Sequence, residues 1–279
     1  MRRPRKGHRP EDSVKQRRSN LSDDGLGDWR IQAVTTLAQN VPAAYPGGPA
    51  HKAGSPLCLV SVTRDQGGAL TSFVTPSPTA LALSVAANAA SQALQLRRTF
   101  ALRDTVTPWG RGQAIASVAV LYDYFELCMI CVAFSFHALE AFCNQTIAGA
   151  LTGTYRLNRG RDSRDVDSEE LQRAASTEEK LATVLPAILK IGSPKGKRVW
   201  EQFKKIKDVR DATIHLKAHD AYKRTIDEES LFHRFLHAEV AKFPEYAIDM
   251  IGYFQPPGME ARWFKQVRAR LFPRPHNSE

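Results

Sequence analysis

The stretch from Gln113 to Leu151 constrains this chain more than any other. It reads "QAIASVAVLYDYFELCMICVAFSFHALEAFCNQTIAGAL", contains no proline and carries a single glycine, Gly149. A run of that length without a breaker predicts one long helix, and its apolar residues recur around most of the circumference. A membrane span needs roughly 20 uninterrupted apolar residues. Asp123, Glu126, His137 and Glu140 interrupt this one, so it reads as the central helix of a soluble bundle and no membrane partner is expected.

The downstream punctuation supplies helices to pack against it. Ser176 and Glu179 have the spacing of a capping box and open a second helix running to about Ile191. Gly192 stops it, and Ser193 with Pro194 starts a third that includes "VWEQFKKI". "EESLFHRFLHAEVAKF" forms a fourth, continued from Pro244 through Phe254 and closed by "PPG". The charged segment "TYRLNRGRDSRDVD" reads as a loop. The fold class expected is therefore all-α, a four-helix bundle over residues 111–256.

Upstream, residues 1–27 hold eight Lys or Arg in the first eighteen positions with no apolar periodicity, and are expected to form a disordered basic arm. Residues 28–110 make a small N-terminal extension. A short helix over "DWRIQAVTTLAQN" capped by Asp28 is followed by the linker "VPAAYPGGPAHKAGSP". "LCLVSV" and "LTSFV" read as a short β-hairpin, and "SPTALALSVAANAASQALQL" as an Ala-rich helix opened by Ser77 and Pro78. Residues 257–279 form a basic C-terminal helix and tail, including "MEARWFKQVRARLF".

Charge speaks to partners. The 39 Lys and Arg against 29 Asp and Glu leave a net charge of +10, which attracts polyanions. Nothing resembling a secretory leader follows the basic start, so a cytoplasmic, reducing setting is expected for Cys58, Cys128, Cys131 and Cys143. "CMIC" has the spacing of half a zinc or redox site but lacks a second half, and reads as buried apolar thiols.

The chemistry concentrates in "KIKDVRDATIHLKAHD", Lys205–Asp220. Val199, Phe203 and Ile206 mark a core stripe on the third helix, and Arg210 is the next position along it. A buried guanidinium needs an acceptor. "HALEAFCN" places Glu140 and Asn144 one turn apart on the long helix as partners for it. Asp211 and His215 form a separate i,i+4 pair in which the carboxylate can orient the imidazole. On a straight helix His215 lies roughly 140° around from Arg210, so the two converge only at a helix end or across a second subunit. Several readings stay open at this point: a structural Arg210–Glu140 contact, a catalytic set, a metal site from Asp208, Asp211, His215 and His219, or a solvated stripe.

"RDATIH" on the third helix of a bundle, together with "FSFHALEAFCNQTIA" on the first, resembles the HEPN superfamily over residues 112–255, with Asp211 in the family's polar slot after the arginine. The resemblance implies a metal-independent endoribonuclease without cofactors, in which the ribose 2′-hydroxyl attacks the adjacent phosphate. It assigns His215 as general acid or base, Arg210 as stabiliser of phosphoryl charge, Asp211 to orient His215 or bond to the ribose, and Glu140 with Asn144 to hold Arg210 in place. It also implies RNA as substrate, a homodimer, and a toxin or antiphage role restrained by an antitoxin or regulatory protein. Inactive binding or scaffold modules of the same family are the alternative. Arg262, Lys265, Arg268 and Arg270, beside Trp263 and Phe264, are candidate RNA contacts through charge and stacking.

Overall fold

The structure, a computed structural model, describes residues 28–43, 50–107, 110–160, 162–215, 230–237, 239–255 and 261–271. The expected arm at 1–27, part of the expected linker, "PPG", His219 and the end of the C-terminal tail lie outside these residues. The chain divides into two compact units, one drawn from residues 1–77 with 261–267 and the other from 78–260 with 268–279.

In the smaller unit, β1 (Ala33–Thr36) pairs antiparallel with β2 (Pro56–Cys58), and β3 (Val60–Arg64) with β4 (Leu70–Val74). The second pair is the hairpin expected from "LCLVSV" and "LTSFV". The helix expected over "DWRIQAVTTLAQN" is absent among the described residues. Asp28 instead caps a turn by accepting the Arg30 backbone N–H at 2.9 Å, and the β-branched "AVTT" that follows is extended. Crowding at Cβ favours that outcome.

The larger unit is mostly helical. Its elements are α1 (Pro78–Arg98), the hairpin β5 (Leu102–Thr107) and β6 (Gly110–Ile115), α2 (Val118–Ala150), the hairpin β7 (Tyr155–Arg159) and β8 (Asp162–Val166), and α3 (Ser168–Ala174). There follow α4, a continuous run of Thr177–Glu179, a π-helical stretch Lys180–Val184 and Leu185–Leu189, then α5 (Arg198–Ile214), α6 (Leu231–His237) and α7 (Phe243–Tyr253). The last helix, α8 (Arg262–Leu271), crosses the boundary between the units.

The long helix begins at Val118, with the Ser117 hydroxyl accepting the Val120 N–H, because "GRGQAI" is drawn into β6. α1 packs along α2 through a seam of alanines, Ala82, Ala86, Ala89 and Ala93, all buried, so a helix read as part of the extension belongs to the helical unit. α5 and α7 pack on α2 as well and on each other. α2 has the length and apolarity to cross a membrane; a core helix of a soluble protein passes the same test. Cys128 and Cys131 are buried on it, and burial pushes their thiols up to about 11 and about 12. A reactive or metal-binding thiol needs the opposite shift.

Two local outcomes escape a pattern of charges and caps. "TYRLNRGRDSRDVD" is a hairpin rather than a loop. Leu157 and Val166, each 1% exposed, anchor it on Ile147, Leu171 and Val184, and Gly160 adopts the left-handed φ of 62° in its turn. In α4 the expected N-cap forms, with Ser176 Oγ accepting the Glu179 N–H at 3.1 Å. Pro186 has no N–H to offer the carbonyl four residues back, and that carbonyl, of Ala182, accepts from the Ser193 hydroxyl at 2.7 Å. With Ser193 so engaged, α5 starts at Arg198 rather than at Pro194.

Phe203 is fully buried, 6.3 Å from Phe136 on α2 and 5.2 Å from Trp200 between ring centroids. Phe203→Ala should therefore cost about 3–5 kcal/mol of unfolding free energy, read from the midpoint of a urea titration. A loss comparable to that of an exposed substitution would show that α5 is not held to α2 by this contact.

Candidate functional site

α5 buries Trp200, Phe203, Ile206 and Val209, a stripe shifted slightly from the one expected. The shift places Arg210 at the edge of the core, its side chain 29% exposed, instead of in the middle of it. Its guanidinium carbon sits 4.2 Å over the Phe136 ring, a cation–π placement, and Nη1 donates to Asp211 Oδ1 at 2.8 Å. Lys207 Nζ donates to the other oxygen of the same carboxylate at 2.9 Å and lies 3.6 Å from Glu178 on α4.

The helix stops at Ile214, which is 56% exposed. His215 still donates its backbone N–H to the Asp211 carbonyl at 2.9 Å, but its φ and ψ of −107° and 61° are non-helical. The angle expected on a straight helix nonetheless does not keep the two side chains on separate surfaces. Arg210, Asp211 and His215 all line one groove of about 590 Å³, with Phe136 and Glu140 of α2 on the same groove. Gln172 to Glu178, from the end of α3 into α4, and Lys180 form its other side.

The supporting roles differ from those expected. Asp211 is occupied by Lys207 and Arg210 and does not hold the His215 ring. Neither Glu140 nor Asn144 is hydrogen-bonded to Arg210. Glu140 lines the groove, while Asn144 Oδ1 accepts from Lys180 Nζ at 2.8 Å. The reason is geometric: with Arg210 at the core edge, its nearest carboxylate is that of its chain neighbour. Lys180, Lys207, Glu178 and Phe136 therefore belong to the site and were not picked out by sequence reasoning. Lys180 sits in the first turn of α4 behind a capping box, a position that reads as solvated, and only its burial distinguishes it.

The other candidates lie elsewhere. Arg268 pairs with Asp249 of α7, Lys265 is exposed on α8, and the side chains of Arg262 and Arg270 lie outside the described residues. Of the rival metal set, Asp211 is committed to two cations, and no group of three or more metal-binding side chains occurs among the described residues.

Partial burial raises the Asp211 carboxyl, but the hydrogen bonds from Lys207 and Arg210 outweigh it and hold the group below its ordinary 3.8. A carboxyl depressed in the folded state stabilises fully above its unfolded value and loses that contribution as pH falls through the folded one. Comparison with known proteins returns no match: no family model, curated protein or solved structure is similar to this chain.

It follows that wild-type stability should fall as pH drops below about 4, and that Asp211→Asn should flatten part of this acid limb, its deficit relative to the wild type being largest at pH 7 and shrinking in acid. Thermal melts at pH 2.5 to 7 check this. An acid limb identical in the two proteins would mean that the Lys207–Asp211–Arg210 contacts do not persist in solution.

Proposed function

We propose that this chain is a metal-independent endoribonuclease of the HEPN type, with the larger unit as its catalytic body. The observation that carries the reading is that Arg210 and His215, at the C-terminal end of α5, share one groove with Glu140. On this reading α2, α4, α5 and α7 are the four bundle helices, with α1 packed outside them.

The chemistry needs few parts. The ribose 2′-hydroxyl gives up its proton as its oxygen attacks the adjacent phosphorus. The bond from phosphorus to the 5′-oxygen breaks, and that oxygen takes a proton. The products are a 2′,3′-cyclic phosphate and a 5′-hydroxyl. His215, exposed at the groove, acts as general base or acid in these transfers. Arg210 faces the non-bridging oxygens, where a fork of donors suits the developing charge. Asp211 fixes the guanidinium, in place of the imidazole-orienting role first expected of it. The net charge of +10 favours RNA as partner. A second copy of the chain, an antitoxin or regulatory protein, a cytoplasmic location and a toxin or antiphage role complete the reading.

A second reading, a non-catalytic module that binds RNA, a nucleotide or a protein in the same groove, draws on one observation: Asp211 is engaged elsewhere and does not orient the His215 ring. One assay separates the two. In EDTA, the wild type should cleave single-stranded RNA to cyclic-phosphate ends, and Arg210→Ala and His215→Ala should each lower the rate by about 100-fold or more. Cleavage that survives both substitutions sinks the enzyme reading, and RNA that is bound but left intact by the wild type favours the second.

A further inference from the structure

Among the described residues Lys180 is one of the largest fully buried side chains, and it is charged, at 1% exposure. It stands on the first turn of α4 beside Leu181, which is itself fully buried. Among the described residues no carboxylate lies within ion-pair distance of its ammonium. Nζ donates instead to two neutral oxygens, Asn144 Oδ1 at 2.8 Å and the Gln172 carbonyl at 2.6 Å. Burial lowers its pKa, against smaller upward pulls from Cys143, Glu140 and Glu179. An ammonium placed there is costly compared with an apolar side chain of similar volume, so its retention points to what the two contacts hold.

The two contacts join three elements. Asn144 lies on α2, three residues before the buried Ile147. Gln172 lies in the last turn of α3, where helix carbonyls lack intrahelical partners. Lys180 itself belongs to α4. The chain between Gln172 and Lys180 is the side of the groove facing Arg210, Asp211 and His215, and Glu178 within it reaches Lys207. Ser176 caps α4 locally but bonds to no other element. An apolar residue at 180 would fill the same space and hold neither oxygen.

We propose that Lys180 is a positioning residue of the groove: its ammonium clamps Asn144 to the Gln172 carbonyl and so fixes the α3–α4 turn as a wall opposite Arg210 and His215. The clamp itself rests on this geometry alone, while its effect on turnover rests on the ribonuclease reading.

The test uses the full chain with Lys180→Met, Asn144→Leu, the double variant and Asn144→Asp. Amide exchange is read by mass spectrometry over residues 172–178, and cleavage of single-stranded RNA in EDTA is read for kcat and KM. Lys180→Met should melt near the wild type yet exchange about tenfold faster over 172–178. Its kcat should fall by about 100-fold with KM changed less than about threefold, as expected when geometry rather than binding is lost. The double variant should be no worse than Lys180→Met, because both substitutions break one clamp. Asn144→Asp, which keeps an acceptor for the ammonium, should exchange more slowly and turn over faster than Asn144→Leu. Unchanged exchange in Lys180→Met overturns the proposal, and so does a kcat loss that adds to that of Asn144→Leu. If Lys180→Met fails to fold, the Asn144→Leu and Asn144→Asp pair decides by the same exchange criterion. If the wild type cleaves no RNA, the ribonuclease reading fails and the exchange measurements still decide the clamp.

Discussion

The larger unit depends on the need of α2 to be covered. Its 33 residues carry apolar side chains around much of their circumference, and removing that surface from water is the main favourable term available to the chain. Coverage comes from sides with different chemistry. α1 offers small alanines and lets the two backbones approach closely, while α5 and α7 offer Phe203, Ile206, Ile248 and Ile251. Several polar residues of α2 find partners within or at the edge of this cover. Gln145 accepts from Thr79 of α1 at 2.7 Å, and Glu140 and Asn144 turn towards the groove side. The groove is one place where the cover of α2 is left open, as it also is at Tyr122 and Ile130.

Within the groove the charges are arranged by exposure. Lys207, Asp211 and Arg210 form a half-exposed chain with Glu178. Contacts of that kind contribute modestly to stability, because water screens them. Lys180 is the exception, since the same ammonium within a dry interior costs far more to desolvate and returns it only through hydrogen bonds. The outer contacts lie where water reaches them, so losing any one of them leaves its partners solvated. The inner clamp cannot rearrange without leaving a buried charge unpaired.

Much of the helical unit was legible because its signals are local. The breaker-free run after Ser117, the capping box at Ser176 and the stripe on α5 each state an element within a dozen residues. What stayed hidden depends on contacts distant in sequence. Leu157 and Val166 alternate only weakly among seven charged residues, and the β7–β8 hairpin shows itself once Ile147 and Leu171 are there to receive them. The strand at "AVTT" competes with a plausible helical period and wins through pairing with residues about twenty positions away. At the site, Arg210, Asp211, His215 and Glu140 could be picked out by residue type and spacing. Lys180 could not, because a lysine after a capping box looks solvated until the Gln172 carbonyl and Asn144 are brought to it.

On the ribonuclease reading, the end of α5 divides labour between its two principal groups. A guanidinium is most useful as a fixed charge in a partly dry setting, where its field is weakly screened, and Arg210 is half-buried against the Phe136 ring. An imidazole that exchanges protons needs access to water between turnovers, and His215 is exposed at the helix terminus. Had α5 stopped one turn earlier, Arg210 would have lost the backbone that seats it over Phe136. On the ribonuclease reading, an end at Ile214 keeps Arg210 seated over Phe136 and leaves His215 open to water in the same groove.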